Sequence, residues 1–144
     1  MKAVIQRVKR ATVRSGERSA SIGPGLLVLA GLETGDTEAQ CRWAAAKIAG
    51  LRVFEDPQGR MNLSLQEVGG AVLAVSQFTL AGSIAKGRRP SFDRAMAPEL
   101  ARPLFQRFVR ELQDQGCPVE TGFFQEAMVV DLENDGPATF ILER

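Results

Sequence analysis

Two continuous apolar runs, Leu26-Leu27-Val28-Leu29-Ala30-Gly31-Leu32 and Ala71-Val72-Leu73-Ala74-Val75, each follow a glycine-rich turn signal, Ile22-Gly23-Pro24-Gly25 and Gly69-Gly70. Runs of this kind suit strands buried on both faces. The second carries on through Ser76-Gln77-Phe78, so the strand is expected over 71–78. Shorter strands are expected at 3–8 and 11–15, and Val53-Phe54 reads as a brief one before the turn Asp56-Pro57-Gln58-Gly59. Near the C-terminus Met128, Val130 and Leu132 alternate with Val129, Asp131 and Glu133, the pattern of a half-buried strand. Ala138-Thr139-Phe140-Ile141-Leu142 is another, and Asn134-Asp135-Gly136-Pro137 reads as the turn joining the pair.

Two segments carry helical periodicity instead. Cys41, Ala44, Ala45, Ile48 and Leu51 form one stripe, preceded by Asp36 or Thr37 as a cap, with Gln40 three residues after Thr37 in a capping-box pattern. The second stripe is Leu100, Leu104, Phe105, Phe108, Val109 and Leu112, ended by Gly116 with Pro118 beyond. Pro98 suits a first turn, but Pro103 removes a backbone donor, so the regular helix is expected to begin nearer Pro103. Strands outnumber helices and several neighbours are joined by short connections. The expected fold is mixed α/β: a compact barrel-like sheet flanked by two main helices, in one domain over 1–144.

Composition agrees with that size. A chain of 144 residues with 44% apolar and 24% charged positions is ordinary globular usage. No stretch approaches the length of an apolar membrane span, and Lys2 and Arg7 interrupt the N-terminal apolar residues before a signal-peptide core could form. A cytoplasmic protein is expected. Cys41 and Cys117 are the two cysteines and there is no histidine, so a standard structural zinc site is excluded and two reduced thiols are expected, with no metal and no cofactor.

The net charge of +1 conceals an asymmetry. Residues 1–18 carry Lys2, Arg7, Lys9, Arg10, Arg14 and Arg18 against Glu17, a local +5, which leaves −4 on the rest. Lys86, Arg88 and Arg89 form a second basic cluster. Brought together, the two could hold a phosphate backbone; the competing reading is a pair of solvated faces.

Any catalysis must proceed without imidazole. Thr79 is the obvious hydroxyl at a strand end, but an alcohol nucleophile needs a base and none lies near it in sequence. The alternative is a hydroxyl that satisfies a neighbouring backbone group. Gln77 could orient a substrate carbonyl or simply pair with backbone. Gly136-Pro137 permits a close main-chain approach, yet an ordinary hairpin turn is the simpler reading of the dipeptide.

Together, Ala3-Val4-Ile5-Gln6-Arg7-Val8, Ile22-Gly23-Pro24-Gly25-Leu26-Leu27-Val28, Arg52-Val53-Phe54-Glu55-Asp56 and Met61-Asn62-Leu63-Ser64-Leu65 make an ordered series. It continues with Val75-Ser76-Gln77-Phe78-Thr79-Leu80, Lys86-Gly87-Arg88-Arg89-Pro90-Ser91-Phe92, Val119-Glu120-Thr121-Gly122 and Asn134-Asp135-Gly136-Pro137. The series resembles the D-aminoacyl-tRNA deacylase family over essentially the whole chain.

That resemblance implies a homodimer with pockets at the subunit interface. Each pocket would combine Ser76, Gln77, Phe78 and Thr79 of one chain with Gly136-Pro137 of the other, the glycine-proline bond being cis and its carbonyls held by Arg7. The implied substrate is a D-amino acid esterified to the terminal adenosine of tRNA, with glycyl-tRNA mischarged on tRNA(Ala) as a second one. The implied chemistry is RNA-assisted: a ribose 2′-OH aids hydrolysis, backbone N–H groups near Phe78 and Thr79 stabilise the oxyanion, and L-amino acids are rejected by the Gly136-Pro137 backbone. Lys86, Arg88 and Arg89 would contact the tRNA. Three departures from the family's usual pattern involve four residues: Gln125-Glu126 where Gly-Ala is common, Ala138 for a valine, and Ala81 for a tyrosine. A non-catalytic tRNA-binding module and a self-associating barrel are the rival readings.

Overall fold

The computed structural model describes all 144 residues. Strand β1 (Lys2–Ser15) is its axis. Strands β2 (Arg18–Ile22) and β3 (Gly25–Gly31) share one edge of β1, β2 beside its C-terminal half and β3 beside its N-terminal half, both antiparallel. Helix α1 (Glu38–Ala49) and a small hairpin of β4 (Arg52–Glu55) and β5 (Met61–Ser64) then lead to β6 (Ala71–Ser76), which lies parallel to β3. Helix α2 (Pro98–Asp114) crosses over to β7 (Val119–Thr121), parallel to β6. The last strand, β8 (Val129–Glu143), covers the whole free edge of β1. The sheet curls until β2 meets β6 and β7, giving a nearly closed barrel.

This topology explains the apolar runs. Alternate residues of β3 face opposite sides: Leu26, Val28 and Ala30 pack under the helices with Ile48, Phe108 and Leu112, while Leu27 faces the barrel interior with Val8, Val13, Leu73 and Val75. Thr37 caps α1 through its Oγ to Ala39 N, and Gln40 closes the capping box by accepting from Thr37 N. Both cysteines are buried and free; burial, with Asp36 nearby, pushes the Cys41 thiol up to about 11.

Five expectations need correction. The strands expected at 3–8 and 11–15 are one continuous strand, because β1 keeps a partner on both edges along nearly its full length. The strand expected to run to Phe78 ends at Ser76, and Phe78–Ala81 form a single 3-10 turn. Helix α2 starts at Pro98 with Pro103 inside it; Pro103 and Glu99, whose carbonyl loses its donor, are both solvent-exposed, so water can serve that carbonyl. Leu100 is likewise exposed and is not part of the core stripe.

The fifth correction bears on the site. Asn134-Asp135-Gly136-Pro137 is not a hairpin turn: both flanks pair with β1, Val8 with Asn134 and Gln6 with Thr139. Two steps along β1 are matched by five along β8, and the surplus residues form a bulge opposite Arg7. Within it the Gly136-Pro137 peptide bond is cis.

Candidate active site

Strand β6 delivers Ser76 and Gln77 to the edge of a cavity of about 640 Å³, and the 3-10 turn adds Phe78. The turn folds tightly onto β3 because Gly31 leaves room for it: a Cβ there would lie 2.8 Å from Gln77 O and 2.9 Å from Leu80 Cβ. The rest of the wall comes from the segment Phe92 to Ala101, from Phe124, Gln125 and Glu126 after β7, and from Met128 and Val130 at the start of β8. Most of it is apolar, as the walls of small-molecule sites generally are.

Three details define the chemistry at the Ser76 end. Gln77 Nε2 donates to Thr79 Oγ1 at 2.5 Å, so the partner of the threonine hydroxyl is an amide and not a base. Leu80 N reaches Gln77 O and Gly82 N reaches Thr79 O, but the N–H groups of Phe78 and Thr79, first in the turn, bond to nothing within the chain. Phe78 packs obliquely on Phe92, ring centroids 5.2 Å apart, and both rings stay partly exposed at the rim.

Glu126 is the only ionisable side chain in the cavity wall. It accepts from Ser15 Oγ at 2.7 Å and binds the Arg18 guanidinium, and these contacts hold its carboxyl below the usual range. Arg18 also covers the Phe123 ring at 4.5 Å. A carboxylate engaged in this way is a poor base.

Arg7 lies elsewhere. Only 2% exposed, it donates from Nε to Asp135 O at 2.9 Å and from Nη1 to Val53 O, with the Asp135 carboxylate at 3.2 Å and Glu55 at 3.7 Å. It thereby joins the β8 bulge to the β4–β5 hairpin. Gly136 and Pro137 are exposed beside it and form no part of the cavity wall of their own chain. A Cβ on Gly136 would meet only the movable Asn134 amide, at 2.6 Å, before reaching ordinary contact distances.

The basic residues separate into two groups. Those of β1 are largely neutralised across the strand: Lys2 by Glu143 at 3.0 Å, Lys9 by Glu133 at 3.6 Å, Arg10 by Asp131 at 3.4 Å and Glu133 at 3.6 Å. Lys86, Arg88 and Arg89 project from a loop closed by the Ser83–Ser91 bridge, exposed and with no carboxylate within 4.0 Å. The two clusters therefore do not form one basic surface of free charges.

The D-Tyr-tRNA(Tyr) deacylase family matches residues 4–143. The chain belongs to this family. Among its deacylase relatives, the D-aminoacyl-tRNA deacylase of Geobacter sulfurreducens is 58% identical over 144 residues, covering 99% of this chain and 95% of the relative. That of Pelobacter propionicus is 58% identical over 145 residues and covers both chains completely, 100% each. The solved c-Myc DNA Unwinding Element Binding Protein superposes with TM-score 0.94 at 39% identity, covering 100% of this chain and 99% of its own. A probable eukaryotic D-amino acid tRNA deacylase shares the fold, with TM-score 0.84 at 19% identity over 98% and 97% of the two chains. Against the deacylase pattern, the cavity residues that sequence reasoning missed include Met96, Ala97, Ala101, Met128 and Val130. They are small or apolar, and nothing in their local sequence distinguishes a cavity wall from core.

Proposed function

We propose that this deacylase-family chain hydrolyses the ester joining a D-amino acid to the 3′-terminal adenosine of tRNA, an editing reaction that releases free tRNA and amino acid. The cavity would hold the aminoacylated nucleoside, with the ester at the Ser76–Thr79 end. The observation that carries the mechanism is the pair of free N–H groups on Phe78 and Thr79, at a rim where no base adjoins the Thr79 hydroxyl. Two amide donors of this kind stabilise the negative charge that develops on the ester carbonyl oxygen as water adds. The carbonyl re-forms as its bond to the ribose 3′-oxygen breaks, and that oxygen takes up the proton the attacking water gives up.

The protein offers no histidine, and the cavity's single carboxylate is engaged by Ser15 and Arg18. The ribose 2′-OH, adjacent to the ester, is then the group placed to orient the water and relay its proton. A tRNA ending in 2′-deoxyadenosine is expected to be deacylated slower by at least two orders of magnitude, roughly the contribution of one positioned proton-transfer group. Undiminished hydrolysis of that substrate would remove the RNA-assisted mechanism.

The reading includes a homodimer. Gly136-Pro137 lies outside its own chain's cavity, and β8 exposes Val129 and Ile141, the latter 76% exposed. A second copy that covers this face would bring its Gly136-Pro137 to the first copy's Ser76–Thr79 segment. Backbone so placed, anchored by Arg7, would crowd an L side chain while clearing a D side chain. Glycine has none to reject, so glycyl-tRNA mischarged on tRNA(Ala) would also be a substrate. Because little within the protomer opposes a Cβ on Gly136, Gly136→Ala should leave thermal stability nearly unchanged while lowering turnover at least tenfold. Full activity in that variant would count against the shared pocket.

Lys86, Arg88 and Arg89 complete the reading as the tRNA-contacting cations, since their charges are free and the loop that bears them connects the rim residues Phe78 and Phe92.

A further inference from the structure

We infer that Gln125 is a specificity-determining residue, whose carboxamide contacts the base of the nucleoside in the cavity. The inference rests on the reading of that cavity as the site of an aminoacylated adenosine. Four polar side chains line the wall: Ser76, Gln77, Gln125 and Glu126. Ser76 and Gln77 lie in the segment that faces the ester, and Glu126 is engaged by Ser15 and Arg18. Gln125 alone remains to orient the other end of the ligand, and its Nε2 has no partner within the chain.

The backbone supports the assignment. Gln125 has φ +66°, and it is the only residue other than glycine in the left-handed region. A side-chain-bearing residue is disfavoured there, whereas glycine adopts the same conformation freely. The loop's path alone would be served better by glycine, so the glutamine brings a side chain to this place against a local backbone preference, and such outliers cluster at ligand sites. The loop is also braced on both sides of the residue. Arg102 lies over the Phe124 ring at 4.7 Å and its Nη2 reaches Gln125 Oε1 at 3.4 Å, while the Ser15–Arg18–Glu126 contacts fix the next residue. Phe124 itself packs on Phe105, centroids 6.1 Å apart. A carboxamide held in this way, with free N–H donors and a carbonyl that can still accept, matches the donor and acceptor edge of adenine.

The test uses D-aminoacyl esters of adenosine and of inosine, in which the exocyclic amine becomes a carbonyl, with the full-length protein and its Gln125→Gly and Gln125→Ala variants. The native protein should prefer the adenosine ester by about fivefold or more in kcat/KM, the low end for a bidentate contact. In Gln125→Gly that preference should collapse towards unity through KM, with kcat little changed and the melting temperature unchanged or raised as the left-handed backbone is relieved. Gln125→Ala should lose the preference as well. Retention of the preference in both variants, or its loss only in parallel with a fall in melting temperature, would overturn the inference. Equal rates on both esters in the native protein would overturn it while leaving the deacylase reading intact; inertness towards both esters and towards D-aminoacyl-tRNA would remove both.

Discussion

Arg7 Nε donates to the main-chain oxygen of Asp135 at 2.9 Å, so a buried guanidinium on the central strand fixes the backbone immediately before Gly136. The same side chain reaches Val53 O, which ties the bulge of β8 to a hairpin some fifty residues further along from Arg7. The exposed Gly136-Pro137 segment is therefore held from inside the protomer rather than by its own turn chemistry.

Replacing Arg7 by alanine should accordingly affect both stability and activity. Two carbonyl acceptors lose their donor, and a void opens beneath the bulge; Asp135 and Glu55 are exposed enough for water to take over their charge. A loss of about 2–3 kcal/mol is expected, seen as a fall in melting temperature of roughly 5–10 °C. Arg7→Lys should rescue only part of it, because an ammonium cannot reproduce the planar fork. A melting temperature within a degree of the native value for Arg7→Ala would contradict this role.

Thr79→Ala is expected to retain substantial deacylation. The Thr79 hydroxyl accepts from Gln77 Nε2, an amide that cannot remove a proton, and the free backbone N–H groups survive the substitution. A drop of several orders of magnitude in single-turnover rate, in a folded protein with unchanged tRNA affinity, would restore Thr79 as nucleophile.

The loop cations should show themselves through salt. Substituting Lys86, Arg88 and Arg89 together by alanine removes three charges that have no intramolecular partner, so the slope of log affinity for tRNA against log salt should flatten by about 0.7–0.9 for each phosphate no longer neutralised. The matching change at Lys9 and Arg10, which are paired with Asp131 and Glu133, should flatten it much less. Equal effects from the two sets would mean that the cross-strand pairs open on binding.

How far the sequence reveals this arrangement depends on whether the signal is local. The capping box at Thr37 and Gln40 and the doubly buried runs in β3 and β6 were legible, since caps and apolar runs act over a few residues. β2, with its polar Arg-Ser-Ala-Ser sequence, and the three-residue β7 were not, because partners elsewhere make them strands. Asn134-Asp135-Gly136-Pro137 has the composition of a turn, and only the pairing of both flanks with β1 makes it a bulge. The neutralisation of the basic N-terminal strand was hidden for the same reason: Asp131 and Glu133 lie more than a hundred residues from Lys9 and Arg10. At the site, Ser76 to Thr79 stood out through the family resemblance, whereas Met96, Ala97 and Met128 look like core until the cavity is seen.

Fixed backbone is proposed to reject the L configuration without reading the side chain. Overlap with anchored main chain is harder to relieve than a misfit of one methylene in an apolar pocket, which is worth only about 1–3 kcal/mol. The most direct measurement is single-turnover deacylation of matched D-aminoacyl-, L-aminoacyl- and glycyl-tRNA by the native protein. Rapid hydrolysis of the D ester, measurable hydrolysis of the glycyl ester and an L rate lower by at least two orders of magnitude are expected; comparable D and L rates, or complete inertness towards glycyl-tRNA, would rule out rejection by the backbone.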